Sequence, residues 1–196
     1  MATCVVATPA CVTLDAMTPL PPARRDPGIF SAIVTAPFGA VGIRTEAGKL
    51  RELVCLPPHV GEKDACDAVA NQAGEQIARY FADADVCFDL PLAEAGSAFQ
   101  QRVWAAIAAL PRGSVRTYGA LAAQIGSAPR AVGQACGANR FPLIVPCHRV
   151  TAAGGLGGFS HHADEHGFYL SVKRWLLAHE GVVASGTPWR QQAMWA

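Results

Sequence analysis

The most informative segment of this chain is Phe141-Pro142-Leu143-Ile144-Val145-Pro146-Cys147-His148-Arg149-Val150. In it, an apolar run ends at a proline, and a cysteine and a histidine follow directly. Proline lacks a backbone N–H and has a fixed φ, so we expect this segment to hold the thiol in one defined place. Cysteine reacts as the thiolate, and a basic histidine nearby generates it. Cys147 is therefore the candidate nucleophile, and His148 is the candidate base.

The adjacency of Cys147 and His148 does not by itself establish a reactive pair. Side chains of neighbouring residues on an extended chain point to opposite faces, so a water or a local bend would have to link the two. A buried cysteine beside an unrelated histidine is also common in proteins. The surrounding sequence has to decide between these interpretations.

The sequence around this segment resembles the C-terminal domain of the O6-alkylguanine-DNA alkyltransferases over about residues 96–183. The matching stretches, in order, are residues 99–104, 110–118, 130–133, Asn139, 146–150 and 173–181. Several motifs in matching order and spacing are far more specific than one motif alone. The resemblance implies DNA repair by stoichiometric, single-turnover transfer of an alkyl group from O6-alkylguanine to Cys147, without a cofactor. O4-alkylthymine is left open as a second substrate.

The resemblance also implies roles for particular side chains of the site. Cys147 would attack the alkyl carbon, and His148 would take the thiol proton through a water. Glu180 would orient His148, by the logic of other nucleophile–base–acid triads. Asn139 would hold the preceding helix and the active-site segment in register. Tyr118 would donate a hydrogen bond to the guanine or to its phosphate.

For the nucleic acid, the resemblance implies binding of double-stranded DNA from the minor groove, with the damaged nucleotide flipped out of the stack. Arg130 matches the residue that takes the place of the flipped base, since a planar guanidinium stacks on bases. The other DNA-binding candidates are Tyr118, Gln134, Arg116 and Arg149. The candidates for the guanine pocket are Pro142, Val150, Phe159 and Ser160.

Composition limits DNA binding to a local patch of charge. The chain of 196 residues has a formal net charge of +1, unlike a strongly basic protein that coats DNA. Residues 95–163 contain no Asp or Glu, and this stretch holds Arg112, Arg116, Arg130, Arg140 and Arg149. A basic band of this kind predicts a modest phosphate footprint. Composition alone leaves it equally open that these arginines only contact solvent.

Cysteine usage and hydropathy indicate the compartment. The 7 cysteines are an odd number without any CxxC pair, which favours free thiols over a disulfide framework. No apolar run has the length of a membrane span, and the first residues lack the basic stretch of a secretory signal. We therefore expect a cytoplasmic protein with no membrane partner. We also expect it to act as a monomer.

The hydrophobic pattern predicts an α+β fold, with a small N-terminal domain followed by a mainly α C-terminal domain. Residues 1–27 are Pro-rich and are expected to form a flexible leader. Residues 28–94 predict an antiparallel meander of strands and a helix over residues 64–81. Residues 95–196 begin with a helix whose N-cap is Ser97. A helix-turn-helix is predicted over residues 118–138, and its second helix is rich in small residues, which argues against sequence readout in the major groove.

Two features depart from the pattern of the family. Arg140 follows Asn139 where proline is usual, and residues 161–169 make the connection after Ser160 longer than expected. We expect this connection to be a mobile polar loop that borders the pocket. Residues 162–166 also match the zinc-peptidase pattern H-x-x-E-H, but so short a segment is a poor helix, and no clear third ligand follows. We therefore predict no metal site.

Three other functions stay open at this point. A lesion-binding relative would flip the base without chemistry, although such relatives replace the cysteine that this chain keeps as Cys147. A zinc hydrolase would use the two histidines of residues 162–166. A DNA-binding regulator would merely sense alkylation.

Overall fold

The computed structural model describes residues 27–182. The predicted leader, except Pro27, and residues 183–196 of the predicted C-terminal domain lie outside these described residues. Within residues 27–182, no helix has the length and apolar character needed to cross a membrane. The α+β class is confirmed, because an antiparallel sheet is followed by a set of helices.

The described chain begins with the predicted meander. Its strands are β1 (Ala32–Ala36), β2 (Gly39–Glu46) and β3 (Lys49–Leu56), which pair in sequence order. Helix α1 (Ala68–Ala82) packs on one face of this sheet and buries Ile77 completely. The helix begins after the predicted start at residue 64, because the Asp67 carboxylate accepts a hydrogen bond from the Ala70 N–H and caps it there.

Four further helices follow the connector after α1. They are α2 (Ala98–Ala108), α3 (Tyr118–Ile125), α4 (Pro129–Gly137) and α5 (Phe168–His179). Ser97 caps α2 as predicted, and the Gln100 side chain completes a capping box with it. Helix α3 ends at Gly126, whose φ of 66° lies in the left-handed region that glycine adopts readily. A short turn then leads to Pro129, the first residue of α4.

A short parallel pairing brings the start of α3 to the active-site segment. Strand β4 (Arg116–Thr117) pairs with β5 (Val150–Thr151), and a 3₁₀ turn, Cys147–Arg149, directly precedes β5. The predicted long connection ends at residue 167 rather than at Tyr169, because Phe168 and Tyr169 form the first turn of α5.

The sheet and the later helices share one hydrophobic core. The Leu53 N–H on β3 donates to the Arg140 carbonyl, with 2.8 Å between nitrogen and oxygen. Leu50 also pairs with the connector, and here its carbonyl accepts from the Ala93 N–H at 2.8 Å. The segment that carries Cys147 is therefore attached directly to the sheet.

Candidate active site

Cys147 lies at the start of the 3₁₀ turn and is buried, with 4% of its surface exposed. Its Sγ accepts a hydrogen bond from Asn139 Nδ2 at 3.2 Å. Burial raises the pKa of the Cys147 thiol, although the Asn139 hydrogen bond and the nearby Lys173 ammonium act in the opposite direction. The resting thiol is therefore protonated, and a base has to remove its proton before it attacks.

Asn139 connects the end of α4 with the active-site segment through three contacts. Besides Cys147 Sγ, its Nδ2 donates to the Val145 carbonyl at 2.8 Å. Its Oδ1 accepts from the Phe141 N–H at 2.9 Å. Because both ends of the amide are engaged, the side chain fixes the position of the thiol relative to α4.

His148 is completely buried, and its Nε2 lies 2.8 Å from Glu180 Oε1. An ionised carboxylate only accepts hydrogen bonds, so we assign the proton of the neutral ring to Nε2 and the lone pair to Nδ1. Nδ1 has no hydrogen-bond partner among residues 27–182. Burial lowers the pKa of His148, and this outweighs the opposing effect of Glu180. The ring is therefore neutral at rest and able to accept a proton at Nδ1.

Glu180 follows the last residue of α5 and is 2% exposed. Its Oε1 accepts hydrogen bonds from Tyr80 Oη at 2.9 Å and Arg149 Nη2 at 2.8 Å, and its Oε2 accepts from Arg149 Nε at 2.8 Å. Burial raises the pKa of Glu180, but the hydrogen bonds from His148 and Arg149 outweigh it and hold the pKa below its usual value. A carboxylate is unfavourable at a helix C-terminus, and these partners account for its presence there.

Arg149 points into the protein rather than outward. Besides Glu180, its guanidinium donates to the carbonyl of Leu110, after the end of α2, and its side chain is only 13% exposed. The structure therefore favours a role in orienting Glu180 over the predicted contact with DNA.

A cavity of about 310 Å³ opens beside Cys147, between α4 and the glycine-rich loop of residues 154–160; we call it the pocket. The residues that line it are Tyr118, Arg130, Gly133, Gln134, Cys136, Gly137, Cys147, Gly158, Phe159, Ser160, His161, His162 and Ala163. Phe159 and Ser160 were predicted to line it. Pro142 and Val150 were also predicted, but neither borders this cavity. Val150 is completely buried and joins the core, and Pro142 is buried as well.

Two of the DNA-binding candidates lie at the opening of the pocket. Arg130 and Gln134 are exposed on α4, one turn apart, and both border the pocket. They give the rim one positive and one polar side chain. Arg116 is exposed on β4, two residues before the start of α3, and is not part of the pocket lining.

The sequence indicated no separate role for Lys173, which lies on α5 and directs its ammonium group toward the glycine-rich loop. It is completely buried, and its Nζ donates to the carbonyls of Val150 at 2.7 Å, Leu156 at 2.7 Å and Gly158 at 3.0 Å. Burial lowers the pKa of Lys173 to about 8. A lysine within the otherwise apolar face of α5 was the signal that could have revealed it.

Tyr118, the first residue of α3, borders the pocket and reaches the same loop. Its hydroxyl donates to the Gly158 carbonyl at 3.2 Å. Burial raises the pKa of Tyr118 above its ordinary value, so the phenol keeps its proton. Gly157 packs tightly here, since a Cβ at this position would come within 2.7 Å of the Tyr118 ring.

The histidines of residues 162–166 do not gather with other ligands. Among residues 27–182, no group of three or more His, Cys, Asp or Glu side chains is placed to hold a metal ion. The His162 ring instead stacks on Tyr169, with 4.2 Å between ring centroids.

Residues 98–182 match the family model described as 6-O-methylguanine DNA methyltransferase, DNA binding domain. The chain is 45% identical over 105 residues to a methylated-DNA–protein-cysteine methyltransferase of Mycolicibacterium paratuberculosis, a match that covers 52% of this chain and 64% of the relative. A protein of the same name from Methanosarcina acetivorans is 43% identical over 105 residues, with 52% of this chain and 67% of the relative covered. The chain thus spans a little under two thirds of the first relative's length.

Two solved structures share the fold over most of the described residues. The crystal structure of Mycobacterium tuberculosis O6-methylguanine methyltransferase is 35% identical, with a TM-score of 0.64, and the match covers 79% of this chain and 93% of that one. The structure of Mycobacterium tuberculosis OGT in complex with DNA is also 35% identical, with a TM-score of 0.63 and coverage of 76% and 91%. The chain is similar to these proteins in sequence over the segment that carries the thiol, and in fold over both of its parts. It therefore belongs to the O6-methylguanine-DNA methyltransferase family.

Proposed function

We propose that this protein repairs DNA by transferring an alkyl group from the O6 atom of guanine to Cys147, once per molecule. The observation that carries this proposal is a buried thiol at the pocket, next in sequence to a neutral histidine whose far nitrogen is held by a buried carboxylate. The names of the relatives support it, since they are methylated-DNA–protein-cysteine methyltransferases.

The chemistry is a displacement at the alkyl carbon. The thiol proton of Cys147 passes through a water to His148 Nδ1, and the imidazolium that forms is stabilised by Glu180. The sulfur–carbon bond forms as the bond from that carbon to O6 breaks, and the electron pair of the broken bond stays on the purine. The Tyr118 phenol supplies a hydrogen bond to the developing charge. The purine anion takes up one proton from solvent, and the imidazolium later returns its proton to solvent, so the products are guanine and S-alkylcysteine. Among residues 27–182, no group of the site is suited to cleave a thioether.

We further propose that α3 and α4 act as a helix-turn-helix that approaches the minor groove of double-stranded DNA. A base inside a duplex is out of reach of a thiol in a pocket, so the damaged nucleotide has to be flipped out. The exposed Arg130 beside the pocket then fills the place of the flipped base. We also propose that the protein is a cytoplasmic monomer. Its domains would be residues 28–94 and residues 95–196.

Replacing Arg130 with alanine is expected to slow alkyl transfer from a duplex by about tenfold or more, because an unfilled gap favours return of the flipped base. Transfer from the free O6-methylguanine base, which needs no flipping, should change little. Single-turnover rates with both substrates measure this. Arg102→Ala is the matched control, since Arg102 is exposed on α2 and lies outside the pocket lining. Equal loss with both substrates would contradict the assignment of Arg130.

The direct test of the proposed function is peptide mass analysis after mixing the protein with a duplex that carries one O6-methylguanine. We expect the peptide with Cys147 to gain one methylene and the Cys147→Ser variant to gain none. Tight binding of the lesion without a gain in mass would instead support a lesion-binding protein that does no chemistry. Neither binding nor a gain in mass would overturn the repair proposal.

A further inference from the structure

The carboxylate of the active site receives a hydrogen bond from the N-terminal part of the chain. Tyr80 lies on α1, and its hydroxyl donates to Glu180 Oε1 at 2.9 Å across a sequence separation of 100 residues. Both side chains are buried, each with 2% exposed. The same oxygen lies 2.8 Å from His148 Nε2, so Tyr80 and His148 share one acceptor.

The position of Tyr80 is fixed from several sides. Its backbone carbonyl lies 2.7 Å from His179 Nε2, at the end of α5. Its ring meets the His179 ring edge-on, with 5.2 Å between centroids, and packs against Phe88 at 5.5 Å. Burial and the Glu180 charge raise the pKa of Tyr80, so its hydroxyl remains a donor throughout the working pH range. The hydrogen bond to Glu180 is therefore a permanent part of the site.

A donor on Oε1 changes how Glu180 acts on His148. Each hydrogen bond to a carboxylate spreads its negative charge and weakens its attraction for further protons. Without the Tyr80 hydroxyl, Glu180 would stabilise the His148 imidazolium more strongly and would be freer to rotate. A base that is already protonated cannot take the proton of Cys147.

We propose that Tyr80 is a positioning residue for alkyl transfer, whose hydroxyl fixes Glu180 Oε1 and keeps His148 available as a base. This inference rests on the proposed function. It makes the α1 helix part of the active-site machinery rather than only a support for the fold. The other charged or titratable groups that face this network are Arg149 on the 3₁₀ turn, Lys173 and His179 on α5, and Arg112 near Tyr80. All of them stay unchanged in the variants compared below.

The test is the pH profile of the transfer rate for wild type, Tyr80→Phe and Phe38→Leu, using a duplex with one O6-methylguanine between pH 5 and 9. Phe38→Leu is the control, because it disturbs the aromatic packing between α5 and the N-terminal part at Phe81 and Trp175 and keeps the rings of Tyr80 and His179. We expect the acid limb of the pH profile to move to higher pH by about 0.5 unit or more in Tyr80→Phe and to stay unmoved in Phe38→Leu.

Two further measurements keep the inference falsifiable. Incorporation of 3-fluorotyrosine at position 80 replaces the phenol with a stronger hydrogen-bond donor of nearly the same shape. The acid limb of the pH profile of the transfer rate should then move to lower pH. An NMR titration of the His148 ring in the DNA-free protein should show the same two opposite shifts, whether or not the protein transfers alkyl groups. Failure of wild type to methylate Cys147 would overturn the proposed function, whereas identical His148 titrations in wild type and both Tyr80 variants would overturn the role of Tyr80.

Discussion

Replacing Glu180 with glutamine is expected to lower the free energy of unfolding by about 3–5 kcal/mol, because it removes one partner of a buried ion pair. Arg149 would keep its charge without a counter-ion, since the two are joined by two hydrogen bonds of 2.8 Å. The new amide NH₂ would also face donors instead of accepting from them. Urea unfolding at pH 7, followed by tryptophan fluorescence, measures the change. The alkyl-transfer rate should fall about a hundredfold or more, since His148 loses its orientation and the partner of its charged form.

Glu94→Gln is the matched control for this substitution. Glu94 is exposed in the connector before α2, so its loss should change the free energy of unfolding by less than about 0.5 kcal/mol. An equal, small effect of both substitutions would show that the network around Glu180 contributes little to stability.

The stability that Glu180 contributes depends on pH in a defined direction. Its pKa in the folded protein lies below the value of about 4.3 expected in the unfolded chain. The contribution is therefore complete above about pH 4.3 and declines as the pH falls below it. The difference in unfolding free energy between wild type and Glu180→Gln should narrow over the same range.

Replacing Lys173 with methionine is expected to loosen the loop around the pocket and to slow alkyl transfer about tenfold or more. Methionine keeps the length of the apolar stem, but the carbonyls of Val150, Leu156 and Gly158 lose their shared donor. Gly158 also accepts the Tyr118 hydroxyl, so the loss reaches the side chain that we assign to the leaving purine. Amide exchange in residues 155–160 should become about ten- to a hundredfold faster, as expected for the loss of hydrogen bonds to a charged group.

Hydrogen-exchange mass spectrometry of wild type and Lys173→Met tests this expectation. Lys49→Met serves as the control, because Lys49 is exposed at the start of β3, far along the chain from the loop. Unchanged exchange in residues 155–160, together with an unchanged transfer rate, would show that the backbone holds this loop without the lysine.

The sequence predicted the elements that local chemistry determines. Runs of β-prone residues separated by turn residues were sufficient for the three strands, and Ser97 as an N-cap candidate was sufficient for the start of α2. The start of α1 was placed too early, because Asp64 and Asp67 are both plausible caps and only the fold selects Asp67. Local patterns of this kind depend on neighbours within one turn, which a sequence displays directly.

The parts of the site that the sequence missed depend on contacts between distant segments. Tyr80 reads as an ordinary core position of α1, and nothing near it indicates a carboxylate 100 residues further on. Arg149 was predicted to meet DNA because it belongs to the band of arginines in residues 95–163, and in the structure its guanidinium lies against Glu180. Residue type and order identified Cys147, whereas the direction of each neighbouring side chain required the tertiary structure.

The anchoring of the pocket loop has a consequence for how this protein tolerates change in length. Residues 161–167 lie between two fixed points, the Gly158 carbonyl held by Lys173 and the first turn of α5. The thiol, its base and its acid lie outside this segment, but His162 stacks on Tyr169 and residues 161–163 line the pocket. A change in the length of the segment is therefore expected to reshape the rim of the opening while the reaction centre stays in place. Residues 164–166, which are exposed and do not line the pocket, are the natural place to insert a reporter peptide.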